Sequence, residues 1–204
     1  MRMLELFAGT GSVGNVFRDH GWEVISLDRD LPADINCDIL NWDYQNTFPP
    51  NHFDFVWASP PCTEYSIAKT IGTRRIEESN RVVQRTLDII NYLQPAAWAM
   101  ENPQTGLLKR QDCVRDLPYC DLDYCKYGMP YRKRTRLWHH LPHFAPRPLC
   151  VRDCDATRED GKHRETAQQG QRQTNQGTRE PNRHHLRQLY RVPTELVEDI
   201  IASL

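Results

Sequence analysis

Residues 1–14, MRMLELFAGTGSVG, join a short apolar strand to a turn that is rich in glycine. The segment after Gly11 carries Val13, Val16 and Phe17 at helical spacing, and Gly21 ends it. A second apolar run, EVISLD, follows directly and ends in Asp28. A strand, a glycine turn, a helix and a second strand in this order predict the first unit of an α/β sheet.

The chain beyond Asp28 continues to alternate between strands and helices. CDILNW predicts a short strand or turn, and HFDFVWAS predicts a strong fourth strand. Residues 76–93 repeat apolar side chains on one helical face. AAWAMEN, LDYCKYG and RTRLWHHL predict strands five, six and seven. The sequence therefore predicts an open, doubly wound α/β sheet.

The composition of the chain changes after Cys150, where large apolar side chains become rare. Residues 155–185 cannot form a core of their own, whereas LRQLYRVPTELVEDIIASL is amphipathic again. We therefore expect a catalytic, cofactor-binding core at 1–149, an irregular recognition or insertion segment at 150–188, and a closing helix at 189–204 that packs on the core.

Length, charge and cysteine count limit the class of protein. The 204 residues are enough to bury a real core, and a formal net charge of −1 requires any nucleic-acid interface to be local. No apolar run reaches transmembrane length, and no signal-peptide pattern opens the chain. Seven cysteines without disulfide spacing favour reduced thiols. These features predict an intracellular location, in the cytoplasm or the DNA-containing compartment of a host cell, and no membrane partner.

The turn Gly9-Thr10-Gly11-Ser12-Val13-Gly14 fits a G-x-G-x-x-G pattern after a strand. Glycines let the backbone approach a ligand closely, and an acid at the tip of the next strand accepts hydrogen bonds from ribose hydroxyls. A tight turn without a ligand is the alternative. With Asp28 in place, the pattern favours a ligand of nucleoside type, either a nicotinamide cofactor or S-adenosylmethionine.

Two chemically active residues follow the ends of strands four and five. Strand four runs into Ser59-Pro60-Pro61-Cys62, and strand five ends at Glu101. Carboxyl ends of strands line the ligand crevice of such sheets, so the thiol and the carboxyl should converge beside the cofactor. A packing cysteine and a salt-bridged glutamate are the structural alternatives. Their pairing beside the glycine turn favours a catalytic role, and a thiol near arginines would be more reactive than an ordinary one.

The order of these motifs resembles that of the DNA cytosine-5 methyltransferases. LELFAGTGSVG is similar to the family's cofactor loop, LDRD to its ribose-binding acid, CDILNW to its adenine-contacting segment and SPPCTEYS to its Pro-Cys nucleophile loop. MENP resembles the Glu-Asn motif, and YGMPYRKRTRLW the later Tyr-Gly-x-Pro…Arg-x-Arg motif. The residues of this last motif are most similar to those of the compact cytosine methylases of phages and large DNA viruses.

The resemblance implies transfer of a methyl group from S-adenosylmethionine to C5 of cytosine, through a covalent adduct of Cys62 with a base flipped out of the duplex. The implied product of the cofactor is S-adenosylhomocysteine. The implied fold is that of a Rossmann-like S-adenosylmethionine-dependent methyltransferase, with a mostly parallel, doubly wound sheet and an antiparallel last strand. The implied catalytic residues are Cys62, Glu101, Arg134 and Arg136. The implied cofactor-binding residues are Phe7, Ala8, Gly9, Thr10, Gly11, Ser12, Asp28, Arg29, Asp38, Ile39, Pro60 and Val192.

The chain departs from the family pattern at two places. Tyr131 stands where the family usually has Gln, and the following arginines are shifted by one place, so the alignment with Arg134 and Arg136 competes with one that uses Arg132. The long recognition domain usual in the family is also missing, and only the 155–185 segment is available in its place. A protein partner or dimerisation is an alternative source of recognition surface.

Double-stranded DNA is the partner that the resemblance implies. The candidate contacts are basic or polar side chains near the site and in the later segment, namely Ser66, Arg132, Lys133, Arg164 and Arg172. The alternative for all of them is a solvated side chain at the surface that contacts no nucleic acid.

Cys150, Cys154 and His163 have a spacing that zinc sites permit. Cys125, His143 or His184 are the candidates for a fourth ligand. Because no fourth ligand stands out, the sequence favours free thiols and no metal, with zinc as the alternative.

Three other functions remain open at this stage. An RNA cytosine-5 methyltransferase would explain the missing recognition domain, and a silent family member would bind cofactor or nucleic acid without turnover. A nicotinamide oxidoreductase would leave Cys62 and Glu101 without a role.

Overall fold

The computed structural model describes residues 1–167 and 189–204, together with the backbone of residues 172–173 and 179–180. The predicted recognition segment at 150–188 therefore lies partly outside the described residues, and its boundaries stay a prediction. Two short strands that pair antiparallel occur inside it, at Arg172–Gln173 (β8) and Arg179–Glu180 (β9).

A seven-stranded sheet forms the centre of the molecule. Its order is β3-β2-β1-β4-β5-β7-β6, and every pair from β3 to β5 is parallel. Strand β7 runs antiparallel to both of its neighbours, which confirms the predicted mostly parallel sheet with an antiparallel last strand. The strands are Arg2–Leu6 (β1), Glu23–Asp28 (β2), Ile35–Asn36 (β3), Phe55–Ala58 (β4), Ala97–Pro103 (β5), Tyr119–Asp123 (β6) and Arg134–His140 (β7).

Helices cover both faces of this sheet. The α-helices are Gly14–Asp19 (α1), Tyr44–Thr47 (α2), Ile76–Leu93 (α3) and Thr194–Ile201 (α4). Short 3-10 turns occupy Leu108–Arg110, Asp112–Val114 and Tyr124–Tyr127. None of the helices in the described part of the chain is both long enough and apolar enough to cross a membrane.

Alternating side chains of the strands divide the core into two layers. Met3 and Phe55 pack on one face with α1 and α4, whereas Leu4 and Val56 pack on the other face with α3. Because both faces are covered, apolar side chains occur at successive positions of these strands and do not only alternate with polar ones. The division into two covered faces confirms the doubly wound arrangement.

The closing helix α4 completes the first of these layers. Leu196, Val197 and Ile200 are buried, and α4 packs against α1. The guanidinium of Arg147 donates two hydrogen bonds to the Asp199 carboxylate, at 2.9 and 3.1 Å. Helix α4 at 194–201 therefore packs on the core, whereas the division of the chain at 149 and 188 stays a prediction.

One open alternative is resolved and one strand prediction needs correction. CDILNW forms turns that bury Ile39 and Trp42, as the turn alternative predicted, and the third strand is the preceding pair Ile35–Asn36. The sixth strand was predicted in LDYCKYG, but β6 begins earlier and ends at Asp123. Tyr124 and Tyr127 are both buried, and the spacing of three residues between them suits the 3-10 turn that follows β6.

Candidate active site at the carboxyl edge of the sheet

The glycine turn after β1 bends tightly over the end of β2. The Ala8 N–H donates to Leu27 O at 3.0 Å, and the Gly11 N–H donates to Ala8 O at 2.8 Å. Gly9 and Gly11 have φ values of +56° and +68°, which side chains with a Cβ rarely adopt. The turn thus depends on glycine at these two positions and presents backbone rather than side chains to a ligand.

Asp28 lies against this turn, as its position in the sequence predicted. Its Oδ2 accepts a hydrogen bond from the Gly9 N–H at 2.8 Å. Its Oδ1 accepts from the N–H groups of Asp30 and Leu31, at 2.8 and 2.9 Å. Three backbone donors therefore fix the orientation of the carboxylate at the edge of the sheet.

The remaining predicted cofactor residues surround the turn at two places. The Val192 N–H donates to Ser12 Oγ at 3.1 Å, so the C-terminal segment reaches the glycine turn. Arg29 lies 3.7 Å from the carboxylate of Asp38, and Ile39 next to it is buried. Phe7, Ala8 and Thr10 belong to the turn itself. Whether these residues contact a cofactor stays a prediction.

Cys62 follows β4 and Glu101 lies near the end of the adjacent parallel strand β5, and Asn102 connects the two segments. The buried Asn102 side chain donates from Nδ2 to the backbone oxygen of Pro60 at 2.9 Å. Because β4 and β5 end at the same edge, this hydrogen bond holds the Pro-Cys loop beside Glu101. The sequence analysis included Asn102 only as part of the MENP motif and assigned it no role.

Glu101 is only 7% exposed and has two close partners. The Tyr124 hydroxyl donates to its Oε1 at 3.0 Å, and the Lys133 ammonium lies 3.7 Å from the same oxygen. Burial raises the pKa of Tyr124 well above its ordinary value, so the phenol stays protonated and remains a donor. Tyr124 was not singled out in the sequence, because it lay in a segment predicted to be a strand.

The electrostatics of Cys62 differ from the expectation of a thiol activated by arginines. Burial raises the pKa of the Cys62 thiol, and the nearby Glu101 carboxyl raises it further. Lys133 acts in the opposite direction and lowers the pKa of the same thiol. These opposing influences show that the three side chains share one site, in which the neighbouring cation is a lysine.

Arg134 and Arg136 do not contact this site in the described part of the chain. Arg134 donates twice to the buried Asp123 carboxylate, at 2.7 and 3.0 Å, and Arg136 donates twice to Asp121, at 2.7 and 2.9 Å. Glu101 stands opposite Leu137 in the register of β5 and β7. Side chains alternate along a strand, so positions 134 and 136 point to the other face.

Lys133, and neither Arg134 nor Arg136, lies beside Glu101 in the described part of the chain. The sequence analysis named Lys133 only as a candidate DNA contact, and that contact stays a prediction. The catalytic roles of Arg134 and Arg136 likewise stay predictions.

The loop that follows Cys62 is held by Arg74 and exposes apolar side chains. Arg74 donates to the backbone oxygens of Glu64 and Ser66, at 3.0 and 2.7 Å. Ser66 Oγ accepts from the N–H of a residue in its own loop, and its contact with DNA stays a prediction. Ile67 and Ile71 in this loop are 61% and 87% exposed.

The other predicted DNA contacts lie on the surface or outside the described residues. Arg132 and Arg164 are exposed, and Arg164 donates to the backbone oxygen of Asp155 at 2.8 Å. Only the backbone of Arg172 is described, within β8. The side chains of residues 168–185 in this segment lie outside the described part of the chain.

A group of side chains that could bind a metal lies near the 3-10 turn that begins at Tyr124. The ligand atoms of Cys125, Cys150, Cys154 and His163 all lie within 4.8 Å of one another. Cys125 was one of three fourth-ligand candidates in the sequence. His143 does not belong to the group, and His184 lies outside the described residues.

Comparison with known sequences gives one family and two curated relatives. Residues 1–114 match the family described as C-5 cytosine-specific DNA methylase. A probable DNA (cytosine-5)-methyltransferase of frog virus 3 (isolate Goorha) is 36% identical, and the alignment covers 72% of this chain and 74% of that protein. The type II methyltransferase M.AgeI of Thalassovita gelatinovora is 26% identical over 66% of this chain and 38% of its own length.

Solved structures share the fold at low sequence identity. A "putative DNA modification methyltransferase" encoded within an E. coli prophage gives a TM-score of 0.53 at 16% identity, with 74% of this chain and 52% of that chain covered. The Dnmt2 methyltransferase of S. pombe gives a TM-score of 0.51 at 13% identity, with 80% and 58% covered. The chain thus spans only somewhat more than half the length of these two structures.

Proposed function

Because the chain belongs to the C-5 cytosine-specific DNA methylase family, we propose that it transfers a methyl group from S-adenosylmethionine to C5 of cytosine in DNA, with Cys62 as the nucleophile. The observation that supports this mechanism best is the convergence of Cys62 and Glu101, held by the hydrogen bond from Asn102 to the Pro60 oxygen. A packing cysteine would not need a buried carboxyl and a lysine beside it.

The residues around the glycine turn fit S-adenosylmethionine. The turn at Gly9–Gly11 offers backbone to the ligand, and Asp28 offers a carboxylate that accepts hydrogen bonds from ribose hydroxyls. When bound, S-adenosylmethionine supplies a methyl group on an electrophilic sulfonium and leaves as S-adenosylhomocysteine. In this proposal Ser12 and Val192 close one side of the site, and Arg29, Asp38 and Ile39 border the nucleoside.

Cys62 makes C5 of cytosine reactive by adding to C6. After the thiol has lost its proton to solvent, the Sγ–C6 bond forms while the electron pair of the C5–C6 double bond moves toward C5. C5 would then take up the methyl group as the bond between the methyl carbon and the sulfonium sulfur breaks. Loss of the C5 proton to solvent restores the double bond and releases the thiolate. Covalent catalysis of this kind divides one difficult step into two easier ones.

Glu101 and its partners support the addition step. In its protonated form, Glu101 donates a hydrogen bond to N3 of the cytosine and stabilises the electron density that the thiolate adds to the ring. Both described contacts of the carboxyl, from Tyr124 and Lys133, fall on Oε1, which leaves Oε2 to face the base. Lys133 also favours the thiolate form of Cys62. We assign it the role for which the sequence proposed Arg134.

DNA would have to present the cytosine outside the duplex, because C5 and C6 of a stacked base cannot reach Cys62. The loop after Cys62, with Ser66 and the exposed Ile71, is proposed to contact the distorted strand. Arg132, Arg164 and Arg172 are proposed phosphate contacts. The short 150–188 segment is a proposed recognition element, to which dimerisation or a partner would add surface.

The test is transfer of a labelled methyl group to matched nucleic acids. Wild-type protein is incubated with labelled S-adenosylmethionine and either duplex DNA, RNA of the same sequence, or DNA in which 5-methylcytosine replaces cytosine. We expect label in the first DNA only, no transfer by Cys62→Ala, and normal transfer by the control Cys113→Ala.

Two other outcomes would contradict the proposal. Label in RNA alone would establish the RNA cytosine-5 methyltransferase that the sequence left open. Binding of S-adenosylmethionine with no transfer to any substrate would indicate a silent family member.

A further inference from the structure

We propose that Cys125, Cys150, Cys154 and His163 bind one structural zinc ion, which attaches residues 150–163 to the end of β6. This inference does not depend on the proposed methyl transfer. It rests on the meeting of four ligand atoms from three separate stretches of the chain.

The distances between the ligand atoms suit a tetrahedral site. All four atoms lie within 4.8 Å of one another, and Cys150 Sγ is 3.5 Å from His163 Nε2. Zinc–sulfur bonds of about 2.3 Å in a tetrahedron place neighbouring sulfur atoms about 3.7 Å apart. The longest separation therefore exceeds the ideal edge by about 1 Å, which side-chain rotation can supply.

The backbone around the cysteines is arranged as it would be for thiolate ligands. The Arg152 N–H donates to Cys150 Sγ at 3.3 Å, and the Cys150 N–H donates to the buried Asp123 carboxylate at 3.0 Å. Thr157 pairs with His163 across a small antiparallel bridge, which returns the histidine toward the cysteines. The three chain stretches are thus held in place by contacts other than the ligands.

The composition of the site indicates a structural ion rather than a catalytic one. The protein supplies all four ligands, so no position stays open for water or substrate. Cys125 and Cys150 are buried, and the other two ligands are half-buried. Such a closed set of three thiolates and one imidazole selects zinc over harder ions such as magnesium, which prefer oxygen.

The segment that carries three of the ligands needs a stabilising element of this kind. Its large apolar side chains do not fill a core: Leu149 is 40% exposed and Val151 is 79% exposed. The small cluster beneath it consists of the cysteines and Ala156. A bound metal would supply folding free energy that apolar burial does not supply here.

The site also connects to the catalytic residues through adjacent positions. Cys125 follows Tyr124, whose hydroxyl donates to Glu101, and Asp123 binds both Arg134 and the Cys150 N–H. Zinc would therefore hold the 3-10 turn from which Tyr124 reaches Glu101. We expect loss of the metal to disturb this turn as well as residues 150–163.

The first experiment measures metal content in the full-length protein. The protein is expressed in zinc-supplemented medium, purified under reducing conditions without chelator, and analysed by inductively coupled plasma mass spectrometry. We expect about one zinc per chain, by the stoichiometry of a four-ligand site. The Cys154→Ala and His163→Ala variants should lose most of this zinc, and the control Cys37→Ala should retain it.

The second experiment does not depend on the folding of a variant. Zinc is removed from the wild-type protein with a chelator, and cobalt(II) alone is titrated back. Three thiolates and one imidazole should give intense visible bands of tetrahedral cobalt and sulfur-to-cobalt charge transfer, which zinc then displaces. Protein without zinc that gives no tetrahedral cobalt spectrum would overturn the proposal, as would unchanged zinc content in both ligand variants.

Discussion

The buried carboxyl of Glu5 should make the stability of this protein depend on pH, and Glu5→Gln should remove that dependence. Glu5 lies in β1 beneath the glycine turn, and only 2% of it is exposed. Its Oε2 has no hydrogen-bond partner among the described residues. Burial raises the pKa of this carboxyl from 4.5 to about 7, and the nearby N–H groups of Val13 and Gly14 offset only part of the effect.

The direction of the effect follows from the two pKa values. Between pH 4.5 and about 7 the folded state binds a proton that the unfolded state has released. The stability that this proton contributes is therefore fully present below the unfolded pKa and is lost as the pH rises through the folded pKa. A difference of about 2.5 pKa units corresponds to about 3 kcal/mol, of which about 2.5 kcal/mol falls between about pH 5 and about pH 8.5.

The assay is urea unfolding of wild type and Glu5→Gln at a series of pH values. The neutral glutamine resembles the protonated acid, so the variant should gain about 2.5 kcal/mol relative to wild type as the pH rises over that range. Any constant cost of the amide cancels, because only the change with pH is compared. The control is Glu23→Gln, an exposed acid in β2, which should show no such trend.

A parallel pH dependence of wild type and Glu5→Gln would refute this reasoning. It would mean that the carboxyl is ionised in the folded state at neutral pH and is stabilised by a contact that the structure does not show.

Three further substitutions test other contacts. Asp28→Ala should weaken S-adenosylmethionine binding about 10- to 100-fold in calorimetry, because charged hydrogen bonds to ribose contribute about 1.5–3 kcal/mol, and an unchanged affinity would leave the acid only structural. Asn102→Ala should lower both the methyl-transfer rate and the free energy of unfolding, the latter by about 1–3 kcal/mol, because it leaves the buried oxygen of Pro60 without its donor, and equal rates would disprove the positioning role. Arg147→Ala should lower the free energy of unfolding by about 1–2 kcal/mol, because the ion pair with Asp199 is partly exposed to solvent, and unchanged urea unfolding would show that apolar packing alone holds the closing helix.

The sequence alone was sufficient to predict those parts of the site in which a residue lies near the end of one strand or in the turn after it. The glycine pattern and Cys62 follow strands that apolar runs identify, and Asp28 and Glu101 lie at or near the ends of such strands. Parallel strands bring their carboxyl ends together. Their convergence could therefore be predicted without knowledge of any contact.

Contacts that depend on strand register could not be predicted in the same way. Lys133 and Arg134 are adjacent in the chain, yet Lys133 lies beside Glu101 and Arg134 pairs with Asp123, because successive side chains point to opposite faces of extended backbone. The pairing of Arg134 with Asp123 also required the correct end of β6, which the sequence placed too late.

The fourth ligand of the metal-ligand group, Cys125, shows a further limit of the sequence. Cys125 lies 25 residues before Cys150, and nothing in its neighbourhood distinguishes it from His143 as a ligand candidate. Its thiol reaches the later cysteines because it lies in the 3-10 turn that follows β6, and β6 pairs antiparallel with β7.

Covalent trapping of Cys62 tests the proposed mechanism most directly. Duplex DNA in which 5-fluorocytosine replaces cytosine is incubated with the protein and S-adenosylmethionine, and the complex is analysed on a denaturing gel and by peptide mass spectrometry. Fluorine cannot leave C5 as a proton does, so the adduct with Cys62 should persist and should map to the peptide that contains this residue. Cys62→Ser should form no adduct although it still binds S-adenosylhomocysteine, and Cys113→Ser should be trapped as wild type is. An adduct at any other cysteine, or full methyl transfer by Cys62→Ser, would contradict the assignment of Cys62 as the nucleophile.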